Sequence, residues 1–370
     1  MTDHDVTNDI IERLEWSDSK HDETPHSKAR AVTRRAALGG GAGAIGALLL
    51  GQPGSALAAA TAHSASVSSI FGRQKKYHFV FVNHVTTNPF FTPTQYGIAD
   101  AASLLGCSVQ WTGSASSNVP QMVTAFNTAI SGGADGIACA MIDPKAFTGP
   151  TAAALKKGIP VLAYNADEPN GRLAYIGQDL FVSGQQMGQH IKQLVPSGSV
   201  ALFIATPGSA NIQPRIDGAI AALKGTATKY TVQATGAAVP QELTTIDAFW
   251  TGHTSFKGMF AVDAGSTQSV FQTVQKHGLR AKGVKAGGYD LTPITQKLLA
   301  AGQGDFTIDQ QPYLQGFLPV IELFMYKASK GLTGIGDINT GLKFLDRKTV
   351  VPYNNTKSRY EGTKTSPGVS

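Results

Sequence analysis

Five polar side chains stand where apolar runs of strand length stop. Asn165 and Asp167 follow Val161-Leu162-Ala163-Tyr164, Asp263 follows Met259-Phe260-Ala261-Val262, Asp290 follows Gly287-Gly288-Tyr289, and Gln310 follows Thr307-Ile308-Asp309. A carboxylate accepts hydrogen bonds from two neighbouring hydroxyls at once, and an amide supplies both a donor and an acceptor. Arg215, in the helix expected after Pro207-Gly208-Ser209, adds a planar fork of donors. Near the end of the first strand, Asn88 can cap a helical turn and Pro89 can occupy its first position, which aims Phe90 and Phe91 at the same region. An aromatic face excludes water from the apolar C–H face of a sugar ring; alternatively, both rings belong to the core. Each acid taken singly could equally cap a helix or close a turn. Five polar groups at equivalent strand ends point instead to a site for a small polyhydroxylated solute.

Catalytic motifs do not accompany these groups. The sequence lacks G-x-S-x-G, a P-loop and H-E-x-x-H, and its histidines show no metal-ligand spacing. His84, near the first strand end, either meets the solute or is a surface or loop histidine. Carboxylates in a cleft leave glycoside cleavage as the rival reading. The favoured reading is binding without catalysis and without a cofactor. The literal G-x-G-x-x-G at residues 41–46 follows no strand and opens no βαβ unit, so it does not mark a dinucleotide site. A net charge of +6 comes from scattered lysines, with no basic helix interleaved with aromatics, which argues against nucleic acid. The two cysteines, Cys107 and Cys139, fall on the second and third strands, which a doubly wound sheet separates by the first strand. Buried free thiols are expected rather than a disulfide.

The elements that must position these residues alternate along the chain. Short β-branched and aromatic runs are expected at 77–85, 107–112, 136–142, 160–165 and 173–177, and again at 200–206, 230–234, 258–263, 283–290 and 306–309. Amphipathic helical stretches separate them, from about Pro89, Val119 and Pro144 in the first half and from about Val182, Ala210, Glu242, Ser266, Thr292 and Tyr313 in the second. That rhythm is the signature of parallel sheets wrapped by helices. Open parallel sheets bind ligands beyond the carboxyl ends of their strands, where the polar residues stand. With 370 residues, two α/β domains are expected.

Residues 1–62 do not read as globular structure. A polar, acidic opening leads to Thr33-Arg34-Arg35-Ala36-Ala37-Leu38, then to a Gly-rich apolar run ending at Leu50, then to Ala56-Leu57-Ala58 and Ala60-Thr61-Ala62. This order is that of a twin-arginine secretion signal, and the apolar run is shorter than the roughly 20 residues that span a bilayer. Export to the periplasm or the cell exterior follows, and with no cysteine near the cleavage region the mature chain is expected to be freely soluble. A polar tail is expected over 353–370.

The motifs Asn88-Pro89-Phe90-Phe91, Gly158-Ile159-Pro160-Val161, Pro214-Arg215-Ile216-Asp217-Gly218, Phe260-Ala261-Val262-Asp263, Gly288-Tyr289-Asp290 and Thr307-Ile308-Asp309-Gln310 resemble those of the ribose-binding-protein-like family of type I periplasmic binding proteins, the receptors of sugar ABC importers. The resemblance covers about 77–351. It implies an α/β fold of two doubly wound parallel-sheet lobes joined by a three-stranded hinge, with crossings near 177–179, 310–313 and 340–343. One lobe would comprise 77–177 plus 312–340, the other 179–310 plus 341–352. It further implies that Phe90 and Phe91 flank the sugar, that Arg215, Asp263, Asp290 and Gln310 bind its hydroxyls, and that the partners are a small sugar or polyol and the membrane permease of an ABC importer, the receptor itself being a monomer. Pentose binders of the family carry Asp-Arg where this chain has Asn165-Ala166. Ribose itself is therefore not the expected ligand, and Asp167 is the residue expected to compensate. A sugar-responsive repressor shares the fold but would need a DNA-binding headpiece where this chain has the export signal.

Overall fold

The computed structural model describes residues 70–356 apart from residue 334, so the proposed signal, its Arg34-Arg35 pair and residues 357–370 lie outside the described residues. The first sheet contains β1 (His78–Asn83), β2 (Ser108–Gly113), β3 (Gly136–Cys139), β4 (Val161–Tyr164), β5 (Ala174–Gly177) and β11 (Ile338–Asn339), in the order β11-β5-β4-β3-β1-β2. The second contains β6 (Gly198–Ile204), β7 (Thr228–Ala234), β8 (Gly258–Ala261), β9 (Lys285–Tyr289), β10 (Phe306–Asp309) and β12 (Lys343–Leu345), in the order β12-β10-β9-β8-β6-β7. Each is doubly wound, with its switch point between the first and third strands of the lobe. β11 joins β5 in parallel, whereas β12 pairs antiparallel with β10. These two short strands are absent from the pattern read in the sequence, because two or three residues show no periodicity.

Alternation along the strands explains how each sheet buries both faces. In β1, Phe79 and Phe81 enter one apolar cluster while Val80 and Val82 enter the other. In β6, Ala201 and Phe203 face one cluster and Val200, Leu202 and Ile204 the opposite one. The inner strands β3, β4, β8 and β10 are buried at every residue, as parallel sheets covered on both sides require. Cys139 is buried and Cys107 half-buried; both are free thiols.

The covering helices begin where caps and prolines place them. A 3₁₀ turn, Pro89–Phe91, leads into α1 (Thr92–Leu105), followed by α2 (Val119–Ser131) and α3 (Thr148–Lys156). The second lobe carries α4 (Leu180–Leu194), α5 (Gln213–Leu223), α6 (Val239–Gly252), α7 (Ala264–Lys276) and α8 (Pro293–Ala300); α9 (Leu314–Ala328) then returns to pack on α1. Asn118 caps α2 and Asp179 caps α4, each side chain accepting the backbone N–H three residues on. The final helix, α10 (Val351–Thr356), continues into the segment expected to be tail, and the Tyr353 hydroxyl reaches Asp309 at 3.2 Å. A tyrosine docked on the second lobe makes this stretch part of the fold.

Helices α4 and α5 approach so closely that only glycine fits between them. A Cβ at Gly184 would lie 2.3 Å from the Arg215 carbonyl oxygen, and one at Gly218 would lie 2.1 Å from that of Phe181. Gly184→Ala is expected to push α5 outward and to destabilise the protein by ~1–3 kcal/mol, the usual cost of overpacking, read as a lower melting temperature. A melting temperature unchanged from wild type would contradict this packing.

The chain passes between the sheets at residues 178–179, 310–313 and 340–342. These segments are bonded to one another. Thr340 N–H donates to the Gly177 carbonyl at 2.9 Å, Thr340 Oγ1 to the Gln310 carbonyl at 2.8 Å, and Gln178 Nε2 to the Gly341 carbonyl at 3.1 Å.

Candidate functional site

Between the carboxyl ends of the two sheets lies a cavity of about 80 Å³, several times the ~10–15 Å³ that one water molecule requires. Phe90, Phe91, Asn165, Arg215, Asp263, Asp290 and Gln310 line it, joined by His84, Asn88, Asn211 and Glu242. The lobes touch across its mouth, where Ala210 N–H donates to the Ile142 carbonyl at 2.8 Å and Asn211 Nδ2 lies 3.4 Å from His84 Nε2.

The aromatic wall arises from the turn after β1. Asn88 Oδ1 accepts the Phe90 N–H at 2.9 Å and so starts the 3₁₀ turn that carries both rings. Phe90 and Phe91 meet edge to face at 4.7 Å, and His84 meets Phe91 in the same manner at 5.3 Å. Both phenylalanines belong to the core of the first lobe and also line the cavity, so the two roles weighed for them coexist. His84, in the bend that follows β1, is buried in this wall, which excludes a surface position. Burial lowers its pKa to about 4 and keeps the ring neutral.

Asn165 and Asp290 occupy matching places, directly after the fourth strand of each lobe, and both hold positive φ, 62° and 72°. Asn and Asp tolerate this left-handed conformation better than other side-chain-bearing residues, and it turns the chain sharply off the sheet. The tyrosines before them anchor the strand ends. Asn83 Nδ2 donates to the Tyr164 hydroxyl at 2.9 Å, and the Tyr289 hydroxyl meets Ser183 Oγ at 2.9 Å.

A polar chain forms the cavity floor. Gln310 Nε2 donates to Asp290 Oδ1 at 2.7 Å, Gln315 Nε2 donates to Gln310 Oε1 at 3.1 Å, and Asn165 Nδ2 donates to Gln315 Oε1 at 3.1 Å. Arg215 is 2 % exposed; it donates to the Val262 carbonyl at 2.8 Å and to Gln178 Oε1 at 3.2 Å, and its guanidinium lies over the Tyr289 ring at 4.1 Å. Through Gln178 and Gln310 the floor is tied to two of the segments that cross between lobes. Burial pushes the Asp290 carboxyl up to about 7, with the Arg215 cation and the Gln310 hydrogen bond acting in the opposite direction.

Two acids differ from the roles read in the sequence. Asp263 does line the cavity, but both of its oxygens accept backbone N–H groups, Oδ1 from Ser266 at 2.8 Å and Oδ2 from Ala205 at 2.9 Å. It is the cap of α7 as well as part of the wall. Asp167 does not line the cavity. It pairs with Arg172 through two contacts of 2.5 and 2.6 Å, and Arg172 also binds Asp337 at 2.9 Å. Its position three residues beyond the end of β4 turns the side chain away from the cleft and toward β11. Asp167→Asn is therefore expected to leave solute affinity unchanged and to lower stability by less than about 1 kcal/mol, because this pair is partly exposed. A calorimetric titration showing weakened binding would return Asp167 to the site. Glu242 and Asn211 went unrecognised because neither directly follows a strand; only the packing of α6 and of the β6–α5 loop brings them in.

Four buried polar atoms of the cavity wall have no hydrogen-bond partner among the described residues: His84 Nδ1, Asn165 Oδ1, Arg215 Nε and Glu242 Oε2. Native interiors rarely leave such atoms unpaired, and their convergence on one cavity marks the place where a polar solute would complete them. Residues 79–330 match the family model described as "Periplasmic binding protein domain". The chain belongs to the periplasmic binding protein family. This binding protein is 51% identical to the xylose/arabinose-binding protein XylF of Sulfolobus acidocaldarius over 78% of its own length and 76% of that relative. Among solved structures, it resembles an ABC transporter solute-binding protein of Burkholderia graminis in complex with D-arabinose, at 25% identity and a TM-score of 0.72, over 76% of this chain and 99% of that one. It also resembles a carbohydrate transporter protein of Acidothermus cellulolyticus in complex with myo-inositol, at 26% identity and a TM-score of 0.69, over 78% of this chain and 100% of that one.

Proposed function

We propose that this periplasmic binding protein captures one neutral sugar or polyol between its lobes and hands it to the permease of an ABC importer, without altering it. The convergence of four unpartnered buried polar atoms on one cavity carries the reading. Two phenylalanine rings offer an apolar face, and carboxyl, amide and guanidinium groups offer the donors and acceptors that ring hydroxyls need. Among the described residues Arg215 is the sole arginine or lysine of the lining, and it faces acidic groups of the same wall, which leaves no free cation there for a phosphate or carboxylate ligand. The names of the relatives support pentoses and cyclic polyols as the class to test. A solute that touches both walls stabilises the closed arrangement, and closure is a population shift driven by that double contact.

A thermal-shift screen over pentoses, hexoses, inositols and tetritols tests the proposal, because a ligand bound only by the folded state raises the melting temperature. At least one is expected to do so; no shift with any of them, or steady product formation during incubation, would overturn the reading. The location outside the cytoplasm follows from the family, and we assign the route to twin-arginine export on the strength of Thr33-Arg34-Arg35 and the short apolar run behind it. Replacing both Arg34 and Arg35 by lysine is expected to keep the protein in the cytoplasm, detected by fractionation. Normal export of that variant would remove the assignment.

A further inference from the structure

Glu242 is the carboxyl group of the cleft wall that no strand end carries. It lies in the first turn of α6, 2 % exposed, and reaches across to the start of α7. There Ser266 Oγ donates to its Oε1 at 3.5 Å, and the carboxyl of Asp263, the cap of α7, lies beside it. The seat exists because residue 265 is glycine: a Cβ at Gly265 would fall 1.9 Å from Glu242 Oε2. No protein donor reaches Oε2.

Two ionised carboxylates side by side in a buried wall repel each other, which favours a proton on one of them. Asp263 already takes a backbone N–H on each oxygen, which favours its charged form, whereas Glu242 receives no backbone donor. Glu242 is therefore the acid. Burial first, and the Asp263 charge second, push its carboxyl up to about 9. The other charged or titratable groups facing the cavity are Arg215 from α5, Asp290 after β9 and His84 from the opposite lobe. On α6 itself, Asp247 is bound to Lys276 and His277 of α7.

We propose that Glu242 is a solute-contacting residue of the cleft, standing there as a neutral acid beside Asp263 and recognising a hydroxyl of the bound sugar or polyol through its open carboxyl edge. The proposal rests on the cleft being the sugar site. A charged glutamate beside Asp263 would add a second negative charge to a closed wall, so the neutral form is the one that permits closure.

Calorimetric titration with D-xylose, D-arabinose and myo-inositol tests this. Wild-type affinity for the sugar that binds is expected to be highest between about pH 7 and 9 and to fall by about tenfold per pH unit above pH 9. Glu242→Gln keeps a neutral donor and acceptor of the same shape; it is expected to bind within about threefold of wild type at pH 7 and to lose the alkaline fall. Glu242→Ala is expected to bind at least about tenfold more weakly at pH 7. Equal affinity of Glu242→Ala and wild type, or an alkaline fall that persists unchanged in Glu242→Gln, overturns the role of Glu242 while leaving the cleft as the sugar site. Should Glu242→Ala not fold, the two pH profiles decide alone. Wild type binding none of the pentoses, hexoses, inositols and tetritols of the thermal-shift screen overturns both the proposal and the reading beneath it.

Discussion

Arg215→Ala is expected to weaken solute binding by about 10- to 100-fold, the effect of losing charge-assisted hydrogen bonds of ~1.5–3 kcal/mol from a buried site. The loss has several parts. Nε, unpartnered in the cavity wall, is the donor that remains for the solute. The other guanidinium nitrogens hold the Val262 carbonyl and Gln178, and the plane covers Tyr289. Removing them leaves buried acceptors unpaired and loosens a segment that crosses between the lobes. Arg215→Lys is expected to recover little, because a compact ammonium cannot reproduce the rigid planar fork that spans the Val262 carbonyl, Gln178 and the solute, or stack flat on the ring. Calorimetry gives the affinities and thermal melting separates them from stability. Unchanged affinity in Arg215→Ala would remove Arg215 from the binding wall.

The second large effect concerns Asp290, whose stability and binding contributions run in opposite directions with pH. Its carboxyl stands at 3.8 unperturbed and about 7 in the folded protein, raised mainly by burial. Between these values the native state holds a proton that the unfolded state has released, so this group's contribution to stability is full below about pH 4 and is lost as pH rises through 7. The ionised form is the one that accepts two solute hydroxyls, so affinity is expected to rise over about pH 6 to 8. Asp290→Asn is expected to flatten both profiles below pH 8 and to weaken binding at pH 8 by about tenfold or more. An affinity profile for Asp290→Asn that still rises through pH 7 would assign the titration to another group. Together with the alkaline fall expected from Glu242, wild-type affinity should pass through a maximum between about pH 7 and 9.

The parallel-sheet architecture was legible because burial on both faces forces continuous apolar runs, and the residues that end those runs are conspicuous. Asn165, Asp290 and Gln310 were found in that way, Arg215 from the helix after Pro207-Gly208-Ser209 and Phe90 and Phe91 from the capped turn after the first strand, and all line the cavity. Asp263 was found by the same rule, which cannot distinguish a helix cap from a ligand contact when one carboxyl lies at the N-terminus of α7 and in the wall. Asp167 was misdirected by the rule, since one further residue after a sharp turn reverses the side chain, and Arg172 five positions on supplies the partner it meets.

The sequence by itself determined that the chain makes two lobes of the same rhythm and that polar and aromatic groups gather at their strand ends, because strand periodicity and turn chemistry are local properties. Only the tertiary structure decided which of those groups share a cavity, that Glu242 and His84 join them, and that Gln178 and Gln310 tie the cavity floor to the segments crossing between lobes. These outcomes depend on contacts between residues far apart in the chain: α7 meeting α6 at Gly265, and Asn165 reaching Gln315. No local preference encodes such meetings; the packing of the whole fold does.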